Sequence, residues 1–519
     1  MSLPSVARES VAAAPRAAKL RRWRSAACIC LALTLGAEPP LLLAQPGPLP
    51  QLGDPGGGEL SPLLEHRIGE EIMRDLRRSG EVMDDVEGTD YLNSLAARLT
   101  ASNGPDDQKF ELFLVGDPTL NAFALPGGFI GVHSGLIVAA QSESELASVL
   151  AHEMAHVTQR HIARMFERAR QSSIFSIAAL VLAVLAARSN PQAIGGIVSL
   201  GESVQMHQML GFSRDAEREA DRIGLATLVG AGFYPPDMVN FFERLQKASR
   251  LYEGGAPEYL RTHPLTTNRM ADIQGRVQEI ASSASKPVSL QDQLAFELVR
   301  ARLKALADTG VDGLRRARAQ LESSPDQDSD TARGLRWYGI AVIANAQRDF
   351  AGARLALERA RPLLPAGQEY LAQVGLQVAL DSGATKSALV LADEAVVRWP
   401  HVRALAHLRS RALLELRDYQ VAADYLTERL REWPKDTRLW KMLAEAQNGL
   451  GKVALAHRAT AEQYALAGAW PAAIEQLKMA RTSPQLDFYT ASRIDARLRE
   501  LERELRRELE DNKGQRPDG

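Results

Sequence analysis

Cysteine is almost absent from this chain. The 519 residues include only Cys28 and Cys30, which excludes a disulfide-rich scaffold and a cysteine-ligated zinc module. Positive charge is not in excess either: 62 Lys and Arg stand against 64 Asp and Glu. This balance argues against a dedicated nucleic-acid-binding protein, so no nucleic acid is expected as a partner. With a mean hydropathy of -0.19 and 45% hydrophobic residues, the chain has the composition of a folded globular protein and not of a polytopic membrane protein.

The first 44 residues have the pattern of a secretory signal. Basic residues from Lys19 to Arg24 precede an apolar run over 26–37, and small residues follow it. This order is typical of a signal peptide, and cleavage after Ala37 or after Ala44 would fit. An uncleaved membrane anchor is the alternative. Residues 45–62 are rich in Pro and Gly and are expected to be a linker.

Residues 63–285 combine helical and strand patterns, which predicts an α+β, mainly helical domain. Helical periodicity is present over 63–78 and 91–99, and a strand is expected over 110–115. Residues 121–132 are expected to form a β-hairpin around a Pro-Gly-Gly turn.

An almost wholly apolar run, Ile174–Ala187, lies within this domain. It is shorter than the about 20 residues that a spanning helix needs. It could be a buried core helix, a lid over a site, or a segment that makes peripheral contact with a membrane.

Residues 290–485 repeat with a regular step. Pro365, Pro400 and Pro434 stand 35 and 34 residues apart. The same steps separate Ala353, Ala388, Ala422 and Ala456. A period of 34 residues with small residues at helix crossings resembles the tetratricopeptide repeat and predicts about four repeats in an all-α solenoid. A non-repeating helical bundle is the alternative. Residues 486–519 are expected to be a charged, solvated helix and tail.

Two histidines are spaced for metal binding. His152 and His156 begin and end the sequence His-Glu-Met-Ala-His, inside a helical pattern that runs from about 142 to 168. Residues four apart share a helix face, so both imidazoles can be directed at one ion, and Glu153 lies beside that face where it can activate water. Two unrelated helical histidines are the alternative. His161, five residues after His156, is expected to rotate off this face.

A third ligand must come from elsewhere in the chain, because catalytic zinc sites usually have three protein ligands. The best source is the segment 213–221. Glu217 and Asp221 are four apart and share one face, whereas Glu219 points elsewhere. Glu217 can therefore bind the metal while Asp221 accepts a hydrogen bond from the far N–H of a ligand histidine. A charged, solvated helix face is the alternative.

The patterns His152-Glu153-x-x-His156 and Glu217-x-x-x-Asp221 resemble those of the zinc metallopeptidase family of HtpX and the CAAX prenyl proteases. The resemblance implies a zincin-type metallopeptidase domain with a small β-sheet. It implies one Zn²⁺ per chain on His152, His156 and Glu217, with Glu153 as the general base and Asp221 behind the ligands. This chain differs from HtpX and the CAAX prenyl proteases in one respect: its sequence lacks a set of long transmembrane helices.

Combined with the signal and the repeats, the resemblance implies a periplasmic endopeptidase. Its substrates would be unfolded or misassembled proteins, and its partner would be the outer-membrane barrel assembly machinery. The alternative hypothesis, from another functional class, is that the chain is a chaperone or scaffold that acts through its repeats. Proteolysis would then be secondary or latent. A third hypothesis is an adaptor protein that binds partners through its repeats and whose metal site is catalytically inactive.

Two further regions complete the expected site. The resemblance implies that His263, which precedes Pro264, could occupy the open position of the zinc and hold the enzyme latent. It could instead stabilise the oxyanion or simply cap a helix. An exposed strand edge can hold an extended substrate through backbone hydrogen bonds. The candidate edge includes Asn121, Ala122, Phe123 and Ala124, and an ordinary structural hairpin is the alternative.

Overall fold

The computed structural model describes most of the chain from residue 61 onward. The described residues are 61–101, 109–169, 213–251, 257–281, 290–323, 329–364, 367–484 and 486–513. The predicted signal, almost all of the predicted linker over 45–62, and the apolar run 174–187 lie outside them. Within them, no helix combines the length and the apolar character that crossing a membrane requires.

The described residues before position 290 form a mainly helical region with one small sheet. Its first two helices, α1 (Pro62–Ser79) and α2 (Val86–Thr100), begin after Ser61 and Asp85, whose side chains accept a hydrogen bond from a backbone N–H of the first turn. Such caps satisfy donors that the helix itself leaves unpaired. The strands are β1 (Glu111–Val115), β2 (Ala122–Ala124) and β3 (Phe129–His133). The helices that follow are α3 (Ser134–Ala139), α4 (Glu143–Thr158), α5 (His161–Ala169), α6 (Arg214–Gly230), α7 (Pro236–Leu251), α8 (Glu258–Thr262) and α9 (Thr267–Ala281).

The sheet has the strand order β1-β3-β2. β1 runs parallel to β3, and β2 runs antiparallel to β3 with Phe123 opposite Gly131. A 3-10 turn over Pro126–Gly128 joins β2 to β3, and Gly127 has a φ of 79° there, a left-handed conformation that glycine adopts at little cost. The predicted strand and hairpin are therefore confirmed, and β2 lies at an edge of the sheet.

The predicted helix over 142–168 is divided in two, so the prediction of one continuous helix is corrected. α4 ends at Thr158, and α5 begins at His161. Between them Arg160 has a φ of 51°, which is unfavourable for a residue with a Cβ. Arg160 is held there by Glu65 of α1, to which its Nε donates at 2.8 Å. Because this tertiary contact spans 95 residues, no local pattern could reveal it.

From residue 290 onward the described chain is an array of helices that follow one another at short intervals in the sequence. They are α10 (Leu290–Ala305), α11 (Val311–Glu322), α12 (Asp330–Ala346), α13 (Phe350–Ala360), α14 (Gln368–Asp381), α15 (Thr385–Arg398), α16 (Arg403–Glu415), α17 (Tyr419–Glu432), α18 (Thr437–Gly449), α19 (Val453–Leu466), α20 (Trp470–Arg481) and α21 (Phe488–Lys513). Neighbouring helices in this order pack on each other, and helices joined by connections this short pack antiparallel.

The array repeats with the step found in the sequence. The turns that join α12 to α13, α14 to α15, α16 to α17 and α18 to α19 each contain one residue with positive φ. These residues are Arg348, Gly383, Arg417 and Gly451, separated by 35, 34 and 34 positions. The period read from the alanines is therefore a period of the backbone as well.

The repeated alanines are fully buried in three of the four helix pairs. Ala353, Ala388 and Ala422 are fully buried, each at the fourth position of the second helix of its pair. Ala456 has the same position in α19 but is only partly buried. α19 also buries Ala454, Ala459, Ala461 and Ala465, so Ala456 is less enclosed than the three other repeated alanines.

Two helices depart from a simple division into a mixed region and an array. α10 contributes Phe296 and Val299 to the core of the first region and Leu298 to the core of the array, so it is shared by both. α21 is not wholly solvated, since Ile494 and Leu501 pack in one cluster with α19 and α20. These contacts make the array continuous with the elements on either side of it.

Candidate metal centre

A crossing of α4 and α6 brings the predicted ligands together. α4 presents His152 and His156 one turn apart, and α6 presents Glu217 in its first turn. The helices approach closely because α6 has Gly224 at the crossing. A Cβ on Gly224 would lie 3.0 Å from the backbone nitrogen of His152. The ligand geometry therefore depends on a small residue that the sequence patterns did not single out.

The donor atoms of these three side chains converge on one point. The Nε2 atoms of His152 and His156 lie 3.1 Å apart. Each of them is 3.6 Å from one carboxylate oxygen of Glu217, and all three side chains are buried. Ligands about 2.0–2.2 Å from a tetrahedral ion stand roughly 3.3–3.6 Å from each other. The three donors therefore have the chemistry and spacing to hold one ion.

His263 is a fourth donor at the same point. The ligand atoms of the three side chains and of His263 lie within 4.8 Å of one another. Nδ1 of His263 is 3.0 Å from Glu217 Oε1, and Nε2 is 3.5 Å from Glu153 Oε1. Its ring stacks on Tyr259 with 4.8 Å between centroids. The backbone N–H of His263 also donates to the Tyr259 carbonyl at the end of α8, so His263 both caps a helix and faces the site.

Asp221 and Arg269 contact two of the predicted ligands, His152 and Glu217. Asp221 Oδ1 lies 3.1 Å from Nδ1 of His152. Arg269 donates to both oxygens of Asp221, at 2.6 and 2.7 Å, and its Nη1 is 2.6 Å from Glu217 Oε2. The sequence patterns missed Arg269. The signal that could have found it is that two buried carboxylates need a cation nearby, and Arg269 follows His263 by only six positions.

His161 lies beside a ligand, which corrects the expectation that it rotates away. The turn at Arg160 directs the ring back to α4, where Nδ1 of His161 is 2.8 Å from Nδ1 of His156. On its other side, Nε2 of His161 is 3.1 Å from Glu219 Oε2. The expectation assumed one continuous helix from 142 to 168. Glu219 does point away from the donors, as expected, because it contacts His161.

Burial and neighbouring charges control the protons of this centre. Burial raises the pKa of Glu153, and neither of its oxygens has a hydrogen-bond partner among the described residues. Burial alone would lower the pKa of His152, but hydrogen bonds with Asp221 and Glu217 outweigh it and raise that pKa to about 9. Burial and the nearby His152 hold the pKa of His156 well below its usual value. Without a metal, these pKa shifts favour the charged form of His152 and the neutral form of His156.

The predicted substrate strand lies next to the metal helix. β2 packs against α4. Leu120, two residues before β2, accepts a backbone hydrogen bond from Tyr259 at 3.2 Å. The side chains of Asn121 and Ala122 are fully buried, and Phe123 is nearly so. Ala124 is partly exposed. Any substrate contact by this strand would therefore involve its backbone edge rather than the first three side chains.

Comparisons with known proteins agree with this geometry. Peptidase family M48 matches residues 88–277, a range that includes all four donors. The chain is 33% identical over 492 residues to the beta-barrel assembly-enhancing protease of Escherichia coli (strain K12), across 92% of this chain and 95% of that protein. This chain belongs to peptidase family M48. The resemblance drawn from the two ligand patterns is therefore confirmed, and this M48 protein is a metalloprotease.

Two further relatives match this chain over different lengths. The beta-barrel assembly-enhancing protease of Yersinia pestis is 32% identical over 483 residues, or 91% of this chain and 95% of that protein. The mitochondrial metalloendopeptidase OMA1 of Schizosaccharomyces pombe is 35% identical over 186 residues, which cover 36% of this chain and 51% of that protein. The first is therefore similar along almost the whole of this M48 chain, including the helical array, and the second along about a third of it.

Proposed function

We propose that this metalloprotease is a zinc-dependent endopeptidase that binds one Zn²⁺ per chain through His152, His156 and Glu217. Two imidazoles and one carboxylate are a common donor set of catalytic zinc. Such an ion supplies Lewis acidity, which makes water a nucleophile near neutral pH and polarises the scissile carbonyl. The single observation that carries the proposal is the convergence of these three buried donors.

Glu153 is the proposed general base. It follows His152 directly on α4, and neither carboxylate oxygen has a hydrogen-bond partner among the described residues. A buried carboxylate with a raised pKa can accept a proton from the attacking water and then deliver it to the leaving amine. Asp221 is the proposed orienting group, because it lies 3.1 Å from the outward nitrogen of His152.

The edge of β2 is the proposed substrate-binding strand. Among the described residues β2 pairs with β3 on one side only, and it packs on the helix that carries His152. An extended peptide can add to such an edge through backbone hydrogen bonds. The region comprises Asn121, Ala122, Phe123 and Ala124. Backbone recognition would accept many sequences, which suits a protease of unfolded or misassembled proteins.

His263 is proposed to hold the enzyme latent. It supplies the fourth donor of the cluster and contacts both Glu217 and Glu153. A side chain in this position competes with water for the open coordination site and lies close to the general base. An oxyanion-stabilising role would also place a histidine near Glu153, so activity measurements on a variant are needed to distinguish the two roles.

The cellular role is proposed from similarity. Relatives that match this chain over more than nine-tenths of its length are named beta-barrel assembly-enhancing proteases. We infer the same role here: a periplasmic protease with a signal peptide over 1–44, acting in outer-membrane barrel assembly and in contact with that machinery. We assign residues 45–62 to a linker, 63–285 to the metallopeptidase domain and 486–519 to the C-terminal helix and tail. We assign 290–485 to tetratricopeptide repeats, since the backbone has a 34- to 35-residue period there.

Metal analysis and casein hydrolysis test the proposed chemistry together. We expect one zinc per chain in the wild type and in Glu153→Gln, and casein cleavage by the wild type only. A chelator should abolish that cleavage, and added Zn²⁺ should restore it. Loss of zinc in Glu153→Gln, or cleavage unaffected by chelator, would overturn the assignment. If Glu153→Gln retains every cellular function of the wild type, the chaperone or scaffold role is the principal one.

A further inference from the structure

The two ligand histidines have different partners behind them. Nδ1 of His152 faces the carboxylate of Asp221 at 3.1 Å. Nδ1 of His156 faces another imidazole, that of His161, at 2.8 Å. His161 is buried, and its second nitrogen lies 3.1 Å from Glu219. Glu219 in turn accepts a hydrogen bond from Arg164 at 2.9 Å. A row of four side chains therefore extends from one ligand towards the surface.

The direction of hydrogen bonding along this row follows from valence. An imidazole that binds a metal through Nε2 carries its remaining proton on Nδ1. Nδ1–H of His156 therefore donates to Nδ1 of His161, which must be without a proton. The proton of His161 is then on Nε2, where it donates to Glu219. Each step requires the one before it, so the row permits one arrangement of protons when His156 binds a metal.

We propose that His161 is a positioning residue that fixes the tautomer and the ring orientation of the ligand His156. The inference rests on the ligand set of the proposed function. His161 is not one of the four clustered donors and acts through His156, as partners behind metal-binding histidines do in general. Its location depends on the left-handed turn at Arg160, a strained conformation that the pairing with Glu65 maintains.

This arrangement makes the two ligand histidines unequal. His152 is backed by a carboxylate that Arg269 already neutralises in part. His156 is backed by a neutral ring that accepts one hydrogen bond and passes its own to Glu219. Removal of a partner of this kind typically weakens metal binding or activity about 10- to 100-fold. We expect a loss of that size when His161 can no longer accept from His156.

Three substitutions of His161 separate the hydrogen bond from the packing. His161→Asn keeps an acceptor oxygen at the position of Nδ1. His161→Gln places its amide near the position of Nε2, where it can still donate to Glu219 but no longer accept from His156. His161→Phe keeps the ring shape and has no acceptor. The readouts are the Zn²⁺ dissociation constant, by competition with a chromophoric chelator, and the visible spectrum of the Co²⁺-substituted protein.

We expect His161→Phe and His161→Gln to weaken Zn²⁺ binding about 10- to 100-fold and to alter the Co²⁺ spectrum. His161→Asn should bind Zn²⁺ with nearly the affinity of the wild type. Thermal unfolding of the metal-free proteins shows the contribution of packing alone. Equal affinities in all three variants, or an Asn variant as weak as the Phe variant, would overturn the proposal.

A fourth variant distinguishes failure of this inference from failure of the ligand assignment. His156→Ala removes a proposed ligand and should abolish tight Zn²⁺ binding. If His156→Ala binds Zn²⁺ as tightly as the wild type, the ligand set is wrong and the inference fails with it. If His156→Ala loses Zn²⁺ and His161→Phe does not, the ligand set stands and only the role of His161 is rejected.

Discussion

Gly224 of α6 lies directly against the backbone nitrogen of His152 on α4. A Cβ at position 224 would meet this nitrogen at 3.0 Å and two neighbouring backbone atoms at 3.1 Å. Backbone atoms cannot turn aside as a side chain can, so the two helices would have to separate slightly. α4 carries two proposed ligands and α6 carries the third. The distance between the two helices therefore sets the distance between the metal donors.

We therefore expect Gly224→Ala to weaken Zn²⁺ binding and casein cleavage while the protein still folds. Overpacking of a tight contact costs about 1–3 kcal/mol of stability, which urea unfolding can measure. Gly275→Ala is the matched control, since Gly275 is also helical and a Cβ there meets no atom within 4 Å. That control should be neutral or slightly stabilising. Unchanged metal affinity in Gly224→Ala would contradict the argument.

Arg269→Lys should lower activity more than it lowers stability. Lysine keeps the positive charge beside Asp221 and Glu217 but cannot donate to both oxygens of Asp221 at once. Arg269→Ala should cost about 3–5 kcal/mol, because it leaves two buried carboxylates without their cation. Unfolding curves and the rate of casein cleavage report the two effects separately.

The control for this pair is Arg276→Lys on the same helix. Arg276 binds Asp272 at 2.9 Å, and both side chains are more than two-fifths exposed, so the change should be almost silent. If Arg269→Lys has the full activity of the wild type, the bidentate hydrogen bonding of Arg269 to Asp221 is not required for the geometry of His152.

The fold and the ligand cluster were largely predictable because their signals are local. Helical periodicity places His152 and His156 on one face of α4, and Glu217 and Asp221 on one face of α6. The repeat period of the array follows from its alanines. The positions of Arg269 and Gly224 beside the site, and the contact of His161 with His156, are not predictable in this way. Each of them acts across a tertiary contact, and His161 also depends on a backbone turn that Glu65 holds from 95 residues away. Patterns within a window cannot report such contacts.

Metal removal should destabilise the protein as well as inactivate it. A ligand that binds only the native state adds about 4 kcal/mol of stability when it is present at 1,000 times its dissociation constant. Chelation should therefore lower the thermal midpoint of the wild type and of Glu153→Gln. His156→Ala should show no such shift, and His457→Ala, in the helical array, should behave like the wild type. A shift that persists in His156→Ala would exclude His156 as a ligand.

His263→Ala should increase casein cleavage several-fold if the side chain holds the enzyme latent. The increase is expected because a competing donor beside Glu217 and Glu153 has been removed. His401→Ala is the control, since its side chain is 84% exposed and lies in the array. Unchanged or lower cleavage in His263→Ala rejects latency. A lower rate with unchanged zinc content would favour oxyanion stabilisation instead.

Protonation of Glu87 makes the free energy of unfolding depend on pH. It lies on α2 and is buried, and it accepts a hydrogen bond from Tyr338 of α12 at 3.1 Å. Burial raises the pKa of Glu87 to about 7 from an ordinary value of 4.5, although Arg302 opposes the shift. Between pH 4.5 and 7 the unfolded chain has released this proton while the folded protein still holds it. Stability from this group is therefore present below pH 4.5 and is lost as the pH rises to 7, by at most about 1.4 kcal/mol per pH unit.

Glu87→Gln should remove this dependence, since glutamine keeps an acceptor for Tyr338 and does not titrate. We expect the urea midpoints of wild type and Glu87→Gln to diverge as the pH rises from 4.5 to 7, with the variant the more stable near pH 7. The difference between the two curves isolates Glu87, because every other group titrates in both proteins. Glu394→Gln, on the exposed surface of α15, should follow the wild type throughout. Parallel curves for wild type and Glu87→Gln would mean that Glu87 is already ionised in the folded protein, with Arg302 as the dominant influence on it.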